Sequence, residues 1–120
     1  SCSFIIFMNI PTMNPEQAVT SLSALAQSSR LKIFRLLVVA GDQGCTVGDI
    51  GKQLALPSAT LSFHLKELAH SGLIEKKQQG RFVNYVANYT QMKFLIAFLS
   101  EQCCEGVEQE DCVIDIEICN

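Results

Sequence analysis

Several features that mark large classes of protein are missing from this 120-residue sequence. The apolar segment at residues 4–8 falls far short of the roughly 20 residues that span a membrane. It also lacks the basic start and the cleavage site of a signal peptide. The sequence contains no phosphate-binding glycine loop, no Cys–His pair and no paired carboxylates suited to acid–base catalysis. We therefore expect a protein that is not an enzyme, has no organic cofactor, does not contact membranes and is cytoplasmic.

Charged residues are also scarce, at 18% against 48% hydrophobic residues, which is typical of one globular domain. The charge is unevenly placed: nine cations and six acids precede Cys103, giving +3, while the rest of the chain carries −6. A mildly basic body is compatible with binding phosphates. We expect an N-terminal extension over residues 1–12, before the natural start or non-native, a domain over 13–102, and an acidic tail over 103–120.

Capping residues predict where the first two helices begin and end. Asn14, followed by proline and glutamate, predicts a helix start, and apolar residues at helical spacing continue to about Gln27. Residues 28–29, both serine, are expected to cap a second helix, which Gly41 ends.

The middle of the chain predicts two short helices and a hairpin. Thr46 is expected to cap a third helix, and Ser58, after a tight turn, a fourth that stops at residues 71–72. Two strand-like runs then flank a glycine-containing turn at residues 78–81. Thr90 opens a fifth, strongly apolar helix. This order predicts a mainly α winged helix-turn-helix, α1-α2-α3-α4-β-β-α5.

The fourth helix has one face that suits the major groove, although taken alone it is more typical of an ordinary amphipathic helix with small surface residues. Leu61, Leu65 and Leu68 form a stripe that faces the core, which leaves the opposite face for DNA. Taken alone, His64 is more typical of a structural hydrogen bond, and Arg81 of a solvated turn. With the whole order of elements considered, we expect DNA contacts from Ser58, Thr60, Ser62, Phe63, His64, Lys66 and Arg81.

Four segments together resemble the ArsR/SmtB family of metal-sensing winged-helix repressors: TVGDI at 46–50, LSFHLKEL at 61–68, SGLI at 71–74 and QGRFVNY at 79–85. The resemblance implies a homodimer, joined through its first and last helices, that leaves operator DNA when an inducer binds. The apolar run at 94–99 independently favours a helix with more than one partner. The expected interface residues are Leu22, Leu25, Met92, Leu95, Ile96 and Leu99.

Four of the six cysteines lie in the last 18 residues, which favours a cytosolic thiolate site over a disulfide scaffold. Thr46 and Gly48 occupy the positions of the family's Cys-x-Cys site, and the last helix has no histidine for zinc. Cys103, Cys104 and Cys112 remain. Three thiolates without imidazole favour a soft ion, and As(III) suits three sulfurs in a trigonal pyramid. The arrangement also looks like that of arsenite-responsive family members with C-terminal ligands.

The sequence thus predicts a repressor that binds double-stranded operator DNA as a homodimer and is released by trivalent arsenic, or by the related ion antimony. Other interpretations stay open for the same cysteines. They include a thiol redox switch, a sensor of cadmium or lead, and an arsenic-sequestering protein without an operator. Whether Cys119 contributes is also open.

Overall fold

The structure is a computed structural model that describes residues 13–101, so the expected N-terminal extension and the cysteine tail lie outside it. Within these residues five helices surround a small sheet, in the predicted order with the hairpin between the fourth and fifth helices. The elements are α1 (Pro15–Leu25), α2 (Ser28–Ala40), a 3-10 turn (Gly41–Gln43), β1 (Cys45–Thr46), α3 (Val47–Leu54), α4 (Ser58–His70), β2 (Ile74–Gln79), β3 (Phe82–Ala87) and α5 (Tyr89–Ser100).

The start of α1 follows the sequence prediction, but its end does not. The side chain of Asn14 accepts a hydrogen bond from the backbone N–H of Gln17 at 2.8 Å, and the Gln17 side chain accepts one in return. The helix ends at Leu25, since Gln27 adopts extended backbone and caps α2 by accepting from the N–H of Arg30. The prediction that the serines at 28–29 cap α2 is therefore wrong.

The two central helices begin in different ways. Thr46 caps α3 as predicted, accepting from the N–H of Asp49 at 3.1 Å. Ser58 does not cap α4: Pro57 occupies the N-cap position without a side-chain hydrogen bond, and Ser58 is the first helical residue. Gly41 ends α2 with a φ of 73°, a conformation that favours glycine.

The sheet contains one strand that the sequence pattern did not predict. Strands β2 and β3 form the expected antiparallel hairpin, and β1 pairs with the other edge of β3, Cys45 opposite Tyr85. Gly44 makes this approach possible. Its φ is 67°, and a Cβ there would overlap the carbonyl oxygen of Tyr85.

The main core lies where α2, α3 and α4 meet the sheet. Leu61, Leu65 and Leu68 are buried in it, which confirms the predicted stripe of α4. A smaller cluster of Met13, Ala18 and Leu95 joins α1 to α5. No helix within residues 13–101 is long and apolar enough to cross a membrane.

Candidate nucleic-acid interface

The solvent-facing side of α4 carries most of the predicted contact residues. Because the leucine stripe turns towards the core, the opposite side of the helix is open along its length. Side chains that can donate hydrogen bonds are gathered on it together with one aromatic ring. The predicted contact residues that are exposed on α4 are Ser58, Thr60, Ser62, Phe63 and Lys66. This surface has the polar, weakly cationic character that contact with base edges and phosphates requires.

The prediction that His64 contacts DNA is corrected by the structure, because His64 is only 6% exposed and does not lie on that surface. Its Nδ1 accepts a hydrogen bond from Nη1 of Arg30 at 3.3 Å, and Nε of Arg30 donates to the carbonyl oxygen of Ala24 at 2.7 Å. Burial, followed by the nearby guanidinium charge, lowers the pKa of His64. His64 is a structural residue that joins α4 to α2, and Arg30 is a partner that the sequence pattern did not identify.

Phe63 stands next to His64 but points outward, with 56% of its surface exposed. The two rings are in contact, with centroids 5.6 Å apart and planes inclined by 59°. The exposed phenyl ring of Phe63 therefore rests against an imidazole that is itself hydrogen-bonded to Arg30.

The tip of the hairpin places Arg81 in solvent, as predicted. Gly80 adopts a φ of 62° at the turn, and Gln79 pairs with Phe82 to close the hairpin. Phe82 is 67% exposed. The wing thus ends in an exposed cation and an exposed aromatic ring.

The middle of the hairpin is hydrogen-bonded to the loop between α2 and β1. Asn84 donates from Nδ2 to the carbonyl oxygen of Gln43 at 2.7 Å, and Lys77 donates from Nζ to that of Asp42 at 3.2 Å. A groove between α4 and the sheet is lined by Lys66 and Lys76, among others. Cations from the helix and from the wing therefore lie on either side of one groove.

A hydrogen-bonded junction connects α5 with the end of α4. The side chain of Asn88 caps α5 and donates to the carbonyl oxygen of Gly72 at 3.0 Å. Nε2 of Gln91 lies 3.4 Å from the hydroxyl of Ser21 on α1 and 3.5 Å from the carbonyl oxygen of Ser71. Polar contacts therefore join the start of α5 to the residues that follow α4.

The expected interface residues are divided by the structure. Leu22 and Leu99 are exposed, by 40% and 57%. Leu95 is only 5% exposed because α1 of the same protomer covers it, so the expectation that a partner covers it is corrected. The remaining expected residues are partly buried within the protomer: Leu25, Met92 and Ile96.

The predicted metal ligands, Cys103, Cys104 and Cys112, lie outside the described residues. Within residues 13–101, no three His, Cys, Asp or Glu side chains gather in a way that could hold a metal ion. Cys45 is half-buried, and burial, then the carboxylate of Asp49, raise the pKa of its thiol. Cys45 thus behaves as a core residue rather than as a reactive thiolate.

Known proteins are similar to this chain in both sequence and fold. A family model described as a helix-turn-helix domain matches residues 25–77. The transcriptional activator HlyU of Vibrio cholerae is 32% identical over 101 residues, which cover 82% of this chain and 91% of HlyU. A putative arsenical resistance operon repressor ArsR of Halobacterium salinarum is 32% identical over 82 residues, covering 68% of this chain and 63% of that protein.

Among solved structures, a winged helix-turn-helix DNA-binding domain from Mycobacterium bovis, described as homodimeric and as a possible ArsR-family regulator, superposes with a TM-score of 0.57. The match is 23% identical and covers 78% of this chain and 87% of that one. The match to HlyU over most of both chains, together with the ArsR name of the Halobacterium salinarum relative, leads to one conclusion: the chain belongs to the ArsR family of DNA-binding winged helix-turn-helix transcriptional regulators.

Proposed function

We propose that this regulator represses transcription as a homodimer bound to operator DNA and that trivalent arsenic releases it. The observation that carries the proposal is the open face of α4, where hydroxyl groups, one aromatic ring and Lys66 stand beside the wing with Arg81. Hydroxyl and ammonium groups donate to base edges and phosphates, and an arginine at a wing tip reaches the backbone or minor groove. The proposed contacts are Ser58, Thr60, Ser62, Phe63, Lys66 and Arg81, without His64.

Dimerisation would bring two copies of α4 to successive major grooves. Exposed Leu22 on α1 and Leu99 on α5 are the side chains that we expect a second copy to cover. The Mycobacterium bovis domain of the same fold is described as homodimeric. Half-sites lie about 34–36 Å apart on B-DNA, so a small change in the separation of the two α4 helices misaligns both.

The chemistry of the cysteines supports As(III) as the inducer. Cys103, Cys104 and Cys112 would hold it, and three sulfur ligands without imidazole match a thiophilic trivalent ion better than zinc. The relative from Halobacterium salinarum is named as a putative arsenical resistance operon repressor. Cys103 follows the end of α5 at Ser100 by three residues. A constraint there would act on the helix whose other end is bonded through Asn88 to Gly72, in the turn after α4. A coupling of about 1–3 kcal/mol is ordinary for such an effect.

A mobility-shift titration with the full chain tests this proposal. A duplex selected by the protein from a random pool is titrated in parallel with As(III), Sb(III), Cd(II), Zn(II) and a thiol oxidant. We expect As(III) to release wild-type protein, and Cys103→Ser and Cys112→Ser variants to bind DNA but resist release. Cys45→Ser is the matched control and should respond like wild type.

The other outcomes separate the remaining interpretations. Release of both tail variants at wild-type arsenite concentrations would contradict the cysteine site. Release by oxidant but not by arsenite would indicate a redox sensor, and release by Cd(II) alone a cadmium sensor. If no duplex is selected while As(III) binds stoichiometrically, the chain sequesters arsenic instead. Because HlyU is named as an activator, a promoter–reporter assay with and without the protein decides the sign of regulation.

A further inference from the structure

Exposed aromatic rings occur in a narrow part of the described chain. Among the large hydrophobic residues that are strongly exposed in residues 13–101, two are aromatic, Phe63 on α4 and Phe82 on the wing. Both belong to the elements that we propose to face DNA. A single exposed apolar side chain is ordinary in proteins. The position of Phe63 on the open face of α4 and the way its ring is held give it a more specific meaning.

The ring of Phe63 lies at the end of a chain of contacts that reaches the body of the protein. It lies against the imidazole of His64, at 5.6 Å between centroids. His64 is buried and accepts a hydrogen bond from Arg30, which in turn donates to the carbonyl oxygen of Ala24. A side chain that is ordered before binding loses less conformational entropy when a partner covers it. Phe63 is thus prepared for contact on its outer side.

We propose that Phe63 determines operator sequence by packing against the C5-methyl group of a thymine in the major groove of each half-site. The inference rests on the proposed function, since it requires α4 to lie in that groove. A phenyl ring neither donates nor accepts a conventional hydrogen bond, so it cannot read the polar pattern of the base edges. The thymine methyl is the apolar group that this groove presents, and phenylalanine is among the side chains that contact it.

The size of the effect follows from the size of the group. Burying one methyl or methylene group is worth about 0.8 kcal/mol, which corresponds to about fourfold in affinity for each contact. Uracil has the same hydrogen-bonding edge as thymine and lacks only the methyl. Replacement of one thymine by uracil therefore isolates this contact from every hydrogen bond at the same base pair.

The experiment uses the reduced full chain and duplexes that it selects from a random pool. Each thymine in the selected sequence is replaced singly by uracil, and affinity is measured at fixed salt. We expect one position in each half-site at which uracil weakens wild-type binding about fourfold. The Phe63→Ala variant should bind thymine and uracil duplexes equally. Phe82→Ala removes the other exposed ring and should keep the full discrimination.

The role of Arg30 as a positioning residue is tested by the same ratio. Arg30→Met removes the hydrogen bond to His64 without substituting Phe63 or His64, so it should lower the ratio of thymine affinity to uracil affinity. Arg30→Gln replaces it if the methionine variant does not fold. An unchanged ratio in the folded variant would show that Phe63 does not need this support.

Two results would overturn the inference while leaving the proposed function intact. One is a selected operator at which no uracil substitution affects wild-type binding. The other is a Phe63→Ala variant that discriminates as strongly as wild type. Failure to select any duplex would instead contradict the proposed function itself, and the inference with it.

Discussion

Arg30 on α2 donates from Nη1 to Nδ1 of His64 on α4 at 3.3 Å, across 34 positions of sequence. A guanidinium can only donate, so Nδ1 must accept and the ring proton belongs on Nε2. The contact therefore requires a neutral imidazole, and burial and the guanidinium charge both lower the pKa of His64. The attachment of α4 to α2 is thus sensitive to protonation.

Acidification should weaken the fold through His64. Because its pKa in the folded protein lies below the ordinary 6.5, the unfolded chain binds more protons, and the stability contributed by the neutral form is lost as the pH falls below that value. Urea unfolding between about pH 7.5 and 5 measures this. His64→Gln should be less stable at neutral pH but should lose less on acidification. His70 is exposed and is present in both wild type and the His64→Gln variant, so it does not affect the comparison. If both proteins lose the same stability on acidification, the pH dependence does not come from His64.

Replacement of Gly44 by alanine should strongly destabilise the fold. An alanine there would be held at a φ of 67° with its Cβ overlapping the carbonyl oxygen of Tyr85. Backbone strain and overpacking together should lower the free energy of unfolding by about 3 kcal/mol. Gly80→Ala is the control: its φ is 62°, but nothing lies within 4 Å of the added Cβ, so only about 1 kcal/mol is expected. Chemical denaturation compares the two, and similar losses would argue against the close approach.

Charge on the proposed dimer surface should separate the protomers. Leu99→Asp, with Leu22→Asp as a second variant, should raise the dimer dissociation constant about a hundredfold, because an unpaired carboxylate would be buried between apolar surfaces. Sedimentation velocity measures the change. Val39→Asp is the control, since Val39 is 85% exposed on α2 and outside the expected surface. Equal effects of all three substitutions would contradict this interface.

Cations of the α4 face and the wing should contribute to the salt dependence of DNA binding. Removing one phosphate contact, with Arg81→Ala or Lys66→Ala, should lower affinity at all sequences and reduce the slope of log K against log salt by about 1. Lys93→Ala, an exposed cation on α5 outside the helix-turn-helix and the wing, should leave the slope unchanged. Fluorescence anisotropy at several salt concentrations distinguishes them. An unchanged slope for Arg81→Ala would place the wing away from DNA.

Local chemistry made the order of elements predictable, because Asn14 and Thr46 are capping residues and Gly41 suits a helix end. The burial of His64 could also have been predicted from helical periodicity, because it follows Leu61 by three residues and precedes Leu68 by four, on the buried stripe. A polar residue there is easily assigned to the edge of the stripe. Its partner Arg30 could not be identified, because a contact between two helices 34 positions apart depends on tertiary packing. The strand β1 could not be predicted either, because two residues are too few for an alternating pattern and the strand is defined only by its pairing with β3.

The attachment of the hairpin to the loop before β1 has a consequence for how operators of different geometry can be accommodated. Asn84 and Lys77 donate hydrogen bonds to the carbonyl groups of Gln43 and Asp42, so the wing is attached to this loop in addition to its packing against α4 in the core. We expect a change of length between Gly41 and Gly44 to tilt the hairpin without altering the α4 residues that we propose to contact DNA. Engineering of this loop should therefore change the contacts that the wing makes with flanking DNA while the proposed sequence preference of α4 is retained.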